Sequence, residues 1–324
     1  MSVAPDETPQ EEPRMPQRAI LVADDIENQN DSDKRRSQAI SIVASSVAQQ
    51  LKAGIDLLYV EDIKTDSPRE FDASHIYAWH SLHQKKLEEV GGRFTVPVRT
   101  FLKSGSPPEQ ILKALRARAA PELVVMGTRG RKGMERLLIG SVAEEVIRHA
   151  RRPVMVVGPV AQENAQDFGA RKQIDVLVAT DLGKNSRAAE LYALSLAKRI
   201  GARVFLFHCL GDSYRTIIRD SSTAAGWLPL NLDEILTQIR DDSSRLIEQK
   251  VRFFQSRGVP CDYKINEKYD VASSAVYQES EHGYSLAVMG THGRNMLLEA
   301  YLGSTARETI LNSSIPVIIV HSGR

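Results

Sequence analysis

The stretch MGTRGRKGMERLLIGS, Met126 to Ser141, puts four glycines and four basic residues between an apolar run and a helical pattern. That composition suits anion chemistry. Gly127 and Gly130 can take positive φ and place no Cβ between backbone and ligand. Gly140-Ser141 opens a helix whose first amides lack intrahelical acceptors and whose dipole favours a phosphate. Arg129, Arg131, Lys132 and Arg136 would add charge. The competing reading needs no ligand: Ser141 and Glu144 have the spacing of a capping box. The chain then writes nearly the same thing again as MGTHGRNMLLEAYLGS, Met289 to Ser304. Duplication favours the anion site.

Two carboxylates accompany these loops. AILVADD carries Asp25 and DVLVATD carries Asp181, each at the end of a short apolar run. If those runs neighbour the strands feeding the glycine loops, carboxylate and loop line one crevice outside the carboxyl ends of a parallel sheet. Neither a Walker loop nor a nucleophile elbow is written anywhere, and one carboxylate per site is thin equipment for hydrolysis. No catalytic residue is assigned. His80 and His83, with His75 nearby, share a helical face, but zinc wants three or four ligands, so solvated or capping histidines are expected. His292 reads as a phosphate neighbour.

The elements that must position these residues follow from a repeat. Met126–Val157 aligns on Met289–Val320 at an offset of 163 without a gap, and AILVADD aligns on DVLVATD at 156. Short Val/Ile/Leu runs alternate with helix-period segments, which implies buried parallel strands joined by helical crossovers. In the first copy strands are expected over 18–24, 55–60, 94–100, 123–127 and 153–157, with helices over 33–52, 72–90, 108–119 and 141–150. The second repeats the order, with strands over 174–180, 203–209, 261–267, 286–290 and 316–320. Its helices are expected over 185–200, 233–256, 271–281 and 304–312. The fold class is α/β: two tandem doubly wound domains with five-stranded parallel sheets. Their bounds are a disordered tail over 1–17, domains over 18–158 and 174–324, and a polar linker over 159–173. A length of 324 residues suits two such domains.

Composition narrows the setting. Lys+Arg at 42 against Asp+Glu at 41 leaves a net charge of +1, which argues against a general nucleic-acid binder. Cys209 and Cys261 show no CxxC spacing, so a disulfide framework is not expected. The Pro- and acid-rich N-terminus does not read as a signal peptide, and no apolar run approaches the roughly 18–20 residues of a membrane span. A cytoplasmic, soluble protein without membrane or nucleic-acid partners is expected.

The spacing G-x2-G-x9-G-S occurs as Gly127, Gly130, Gly140, Ser141 and as Gly290, Gly293, Gly303, Ser304. It resembles the nucleotide motif of universal stress proteins, and ILVADD, DVLVATD, RRPVMVV and SIPVIIV resemble that family's first and fifth strands. The resemblance implies 3-2-1-4-5 sheets of the adenine nucleotide alpha hydrolase-like kind. It also implies ATP, or AMP or ADP, with Mg2+ as a companion ion, bound across the switch point of each domain. In the first copy the implied nucleotide-binding residues are Ala23, Asp25, Val60, Met126, Gly127, Arg129, Gly130, Gly140, Ser141 and Val142. In the second they are Ala179, Asp181, Cys209, Met289, Gly290, Gly293, Gly303, Ser304 and Thr305. The resemblance further implies pairing through fifth strands, between the halves or across a homodimer, and a regulatory role in stress response through a protein partner it does not name. A slow ATPase using the same site, and a scaffold with empty pockets, are the alternatives.

The copies differ. Asp25 to Tyr59 spans 34 residues against 27 from Asp181 to His208, which gives the first copy a longer loop, IENQNDSDKRRS. The second replaces Gly133 by Met296 and Arg136 by Glu299, and carries extra chain over 211–232, a candidate lid or partner surface. Both halves are expected to bind, with unequal affinity.

Overall fold

The computed structural model describes residues 16–27, 30–62, 73–117, 119–128, 139–171, 173–211, 231–268, 272–291 and 302–321. In the first half β1 (Ala19–Ala23), β2 (Gly54–Glu61), β3 (Val98–Ser104), β4 (Val124–Gly127) and β5 (Val154–Val157) alternate with helices. These are α1 (Asp31–Leu51), α2 (Ala73–Gly91), α3 (Pro107–Ala114) and α4 (Ser141–His149). Two short helices follow, α5 (Pro159–Glu163) and α6 (Ala165–Ala170). The second half repeats the strands as β6 (Asp175–Ala179), β7 (Arg203–Cys209), β8 (Cys261–Asn266), β9 (Leu286–Gly290) and β10 (Val317–Val320). Its helices are α7 (Arg187–Ile200), α8 (Leu232–Gln255), α9 (Ala272–Ser280) and α10 (Ser304–Asn312).

All ten strands form one sheet in the order β3-β2-β1-β4-β5-β10-β9-β6-β7-β8. Each half therefore runs 3-2-1-4-5, with parallel pairing throughout. The halves meet through their fifth strands, which pair antiparallel: Val317 with Val156, Ile318 with Met155, Ile319 with Val154. Apolar side chains cover both faces of this sheet, in two layers that each draw on both halves. Burial on two faces is why the strands read as unbroken Val/Ile/Leu runs rather than alternating ones.

The junction has an approximate two-fold character that follows from the repeat. Glu144 of α4 and Arg307 of α10 occupy equivalent places at the offset of 163, and they pair with each other at 2.7 Å. The His321 ring contacts the carbonyl of Ile147. At the position equivalent to His321 stands Gly158, and a Cβ there would penetrate the carbonyl oxygen of Ile310. The segment 159–173, read as a polar linker, carries α5 and α6, and it buries Ala161, Ala165 and Phe168 in the layer that contains α1.

Three elements depart from expectation. The third strand occupies 98–104, not 94–100. Pro97 lacks an N–H for the ladder, and its carbonyl instead accepts from Ile55 at 2.9 Å just before pairing starts at Val98. α3 stops at Ala114 rather than 119, because Arg116 and Ala117 donate to carbonyls three residues back and tighten the last turn. The extra residues after Asp25 do not form a longer loop. Asn30 caps Asp33 N–H at 3.0 Å, and α1 starts at Asp31, giving 21 residues against 14 in α7. The surplus lengthens the helix by about two turns. On α8, Ile247 and Val251 face the core, whereas Leu246 is exposed.

Candidate functional site

β1 pairs with β4 and β6 with β9, so both carboxylates sit beside the strands that lead into the glycine loops. Helices α4 and α10 begin on this same edge. Each has glycine as N-cap with the same backbone angles, φ −59° and ψ 148° at Gly140, φ −59° and ψ 150° at Gly303. Neither start has a side-chain cap. The Ser141/Glu144 capping box does not form: Ser141 is the first helical residue and Glu144 turns to Arg307 instead. Among the described residues, two matching helix starts thus keep their first amides uncapped by side chains. In the second half Gly303 N–H donates to Thr291 O at 2.9 Å, which ties the start of α10 to the end of β9.

Ala23, Val60, Met126, Ala179 and Met289 are buried together in the apolar layer under α4 and α10, with Val142 and Cys209 packed at its margin. Ser141 and Ser304 are exposed and Thr305 is half-buried. Gly127 faces the other way. A Cβ on it would meet Ile40 Cδ1 at 2.8 Å and the Arg36 stem at 3.2 Å, so its missing side chain admits helix α1. Arg129, Gly130 and Gly293 lie outside the described residues, as do Arg131, Lys132, Gly133, Arg136, His292, Met296, Glu299 and residues 212–230.

The two carboxylates differ in surroundings. Asp25 Oδ1 accepts from Glu27 N–H at 3.2 Å. Its neighbour Asp24 is buried beneath Arg36, whose Nε lies 3.7 Å away. Burial pushes the Asp24 carboxyl above its ordinary value, against the pull of Arg36, Ser37 and Arg93. In the second half Asp181 Oδ1 accepts from Gly183 N–H at 2.8 Å and from the Ser186 hydroxyl at 2.5 Å. Its Oδ2 is buried and has no hydrogen-bond partner among the described residues. A buried polar oxygen left unpaired is uncommon and wants a donor. Next to it Leu182 holds φ +61°, a left-handed conformation that a γ-branched residue rarely adopts. Thr180 Oγ1 accepts from Leu182 N–H at 3.0 Å and donates to Glu190 Oε1 at 2.7 Å, and Lys250 Nζ sits 2.7 Å from Glu190 Oε2.

Sequence reasoning missed Arg36, Asp24 and a carboxylate–histidine cluster at the ends of β2 and β3. His83, expected to be solvated or capping, is 2% exposed and lies between Glu61 Oε1 at 2.8 Å and Glu27 Oε1 at 3.5 Å. Glu61 also takes the half-exposed His80 at 3.2 Å and the Ser104 hydroxyl at 3.0 Å, while Trp79 and Tyr59 meet the His83 ring edge-on. No group of three metal-ligating side chains forms among the described residues. The cluster ties α2 to the sheet edge. An i, i+3 histidine pair was visible in sequence, but its glutamate partners come from other elements.

Burial raises the Glu61 pKa, yet the hydrogen bonds from His83, His80 and Ser104 outweigh it and leave the value below the ordinary 4.5. A depressed carboxylate stabilises the fold above its unfolded value and loses that contribution as pH falls through the folded one. Glu61→Gln is therefore expected to unfold about 2 kcal/mol more easily at pH 7. The gap to the unsubstituted protein should close as pH falls below the ordinary 4.5 and through the lower folded value. Urea unfolding at several pH values checks this, and a gap that does not change with pH would refute it.

Among the described residues no helix is long and apolar enough to cross a membrane. Against known proteins, the model of the universal stress protein family matches the chain twice, over residues 17–158 and 175–321. A universal stress protein of Mycobacterium bovis is 28% identical over 234 residues, 72% of each chain. One from Methanocaldococcus jannaschii is 32% identical over 120 residues, 35% of this chain and 70% of its own. A solved universal stress protein from Archaeoglobus fulgidus shares the fold across 95% of this chain and 97% of its own, with a TM-score of 0.60 at 18% identity. The doubled 3-2-1-4-5 sheet, the repeated glycine-capped helices and both family matches lead to one conclusion: this chain belongs to the universal stress protein family, as two tandem copies of its domain.

Proposed function

We propose that the protein binds an adenine nucleotide, ATP in the first instance, at the strand-one/strand-four switch point, and that occupancy regulates its part in a stress response. The observation that carries the reading is the second half's crevice, where Asp181 Oδ2, buried and without a partner among the described residues, shares an edge with the start of α10, uncapped by side chains among those same residues. A nucleotide carries both complements, a hydroxylated sugar to donate to the carboxylate and a phosphate chain to accept from helix-terminal amides. Asp181 would hold and orient the ribose, with Oδ1 kept in place by Gly183 and Ser186. Gly303, Ser304 and Thr305 would hold the phosphates, with Ser304 exposed to reach them.

Asp181→Asn separates this reading from a purely structural role. The amide oxygen can still accept from Gly183 and Ser186, but the second atom becomes a donor. Equilibrium dialysis with Mg-ATP is expected to show binding about tenfold weaker or worse. Thermal stability should change little, since one unpaired buried polar atom replaces another and the Oδ1 contacts are kept. No uptake by the unsubstituted protein at millimolar Mg-ATP, or equal uptake by the variant, would overturn the proposal.

A further inference from the structure

The two halves share a frame and differ in what fills it, and the difference traces to Arg36. The residue lies in the turns that α1 has and α7 lacks, and its side chain is 7% exposed. Its stem runs over Gly127 at 3.2 Å from where a Cβ would stand. Every nitrogen of the guanidinium has a partner at the end of β1 or on α1. Nη1 pairs with Asp33 at 2.8 Å, Nη2 donates to the Asp25 carbonyl at 3.1 Å, and Nε lies 3.7 Å from Asp24. The cation is thus committed to the chain itself, not held ready for a ligand. The edge where β1 and β4 meet carries a side chain of the protein.

The second half has neither member of this pair. Thr180 stands at the place of Asp24 at the strand offset of 156. Counting back from the helix ends Leu51 and Ile200 places Asn185 opposite Arg36. There the strand-one carboxylate retains a buried oxygen without a partner among the described residues, whereas in the first half Arg36 meets Asp24 and Asp33.

We propose that Arg36 closes the first half's crevice to nucleotide, so that the chain takes its nucleotide in the second half alone; this rests on the nucleotide-binding reading above. To admit a ligand over Gly127, Arg36 must leave the buried Asp24 with only the Ser37 hydroxyl, the more distant Arg93 and the Asp25 amide to support it, a penalty of roughly tenfold or more in affinity. The seven residues by which α1 exceeds α7 are then what makes the halves unequal.

The test is a count. Equilibrium dialysis of the full chain with Mg-ATP is expected to saturate at about one nucleotide per chain. The double variant Asp24→Thr/Arg36→Asn, which installs the second half's residues and leaves only Asp33, in the first turn of α1, without its arginine, is expected to reach about two. Two sites in the unsubstituted chain would overturn the proposal while leaving nucleotide binding intact. So would a folded double variant that still saturates at one. No binding by either protein would fail the nucleotide reading itself and take this proposal with it. Should the double variant not fold, photolabelling of the unsubstituted chain with 8-azido-ATP decides. Label confined to peptides of the second half supports closure, and label in the first half overturns it.

Discussion

Gly158→Ala is expected to destabilise the chain by about 3 kcal/mol or more, the upper range of an overpacked core, although it adds one methyl group. Gly158 has φ −70° and ψ 170°, angles open to any residue, so backbone strain has no part in the effect. The obstacle is spatial. The new Cβ would lie well inside contact distance of the Ile310 carbonyl oxygen, a backbone atom of α10 that cannot rotate away. Relief requires α10 to move off the end of β5, at the place where β5 and β10 join the halves. Gly201→Ala is the matched control, because Gly201 sits at φ +67° with nothing within 4 Å of its Cβ position. That substitution should cost only the left-handed penalty of about 1 kcal/mol. Urea unfolding of both variants orders them, and equal losses would show that the junction tolerates displacement.

Lys250→Met is expected to cost about 3 kcal/mol, because it strips the nearer cation from a carboxylate that has almost no access to water and leaves it Arg187 at 4.0 Å. Glu190 is 1% exposed, with Oε2 2.7 Å from Lys250 Nζ and Oε1 2.7 Å from the Thr180 hydroxyl. The same hydroxyl accepts the Leu182 amide, and His208 Nδ1 lies 2.8 Å from the Thr180 carbonyl. The chain of contacts therefore runs from α8 through α7 to the left-handed Leu182 beside Asp181. Removing the ammonium should both lower stability and loosen the loop that aims the carboxylate. Glu190→Gln/Lys250→Met removes both charges and is expected to recover most of the loss. A single-variant loss below about 1 kcal/mol would mean that the pair behaves as a solvated surface bridge.

Much of the architecture was legible from local patterns. Unbroken apolar runs such as LVVMG and LAVMG became β4 and β9 because a strand covered on both faces has no polar side to alternate with. The helix starts at Ser141 and Ser304 were also visible, since glycine followed by a helical period marks a boundary without reference to anything distant. The third strand was misplaced by four residues, because FTVPV looks like a strand until Pro97 is asked for a donor. The longer loop after Asp25 was misread for a different reason. DSDKRRS is charged enough to pass for solvated chain, yet its acidic residues sit in the first turn of a helix and its second arginine is buried.

By itself the sequence determined the class of fold, the duplication, the strand-one carboxylates and the glycines that open α4 and α10. Each of these depends on residues within a turn or two of one another. Only the tertiary structure decided the partners. Glu144 looked like a helix cap and pairs with Arg307, 163 positions away. His83 looked solvated and is clamped between glutamates from other elements. Gly127 looked like room for a ligand and is room for α1, and Arg36, unremarked in the chain, fills the edge beside it. Periodicity and capping are set by near neighbours, so they can be read in order along the chain. The pairing of a buried charge is set by whichever element packs opposite, because in a dry interior the nearest partner must satisfy it.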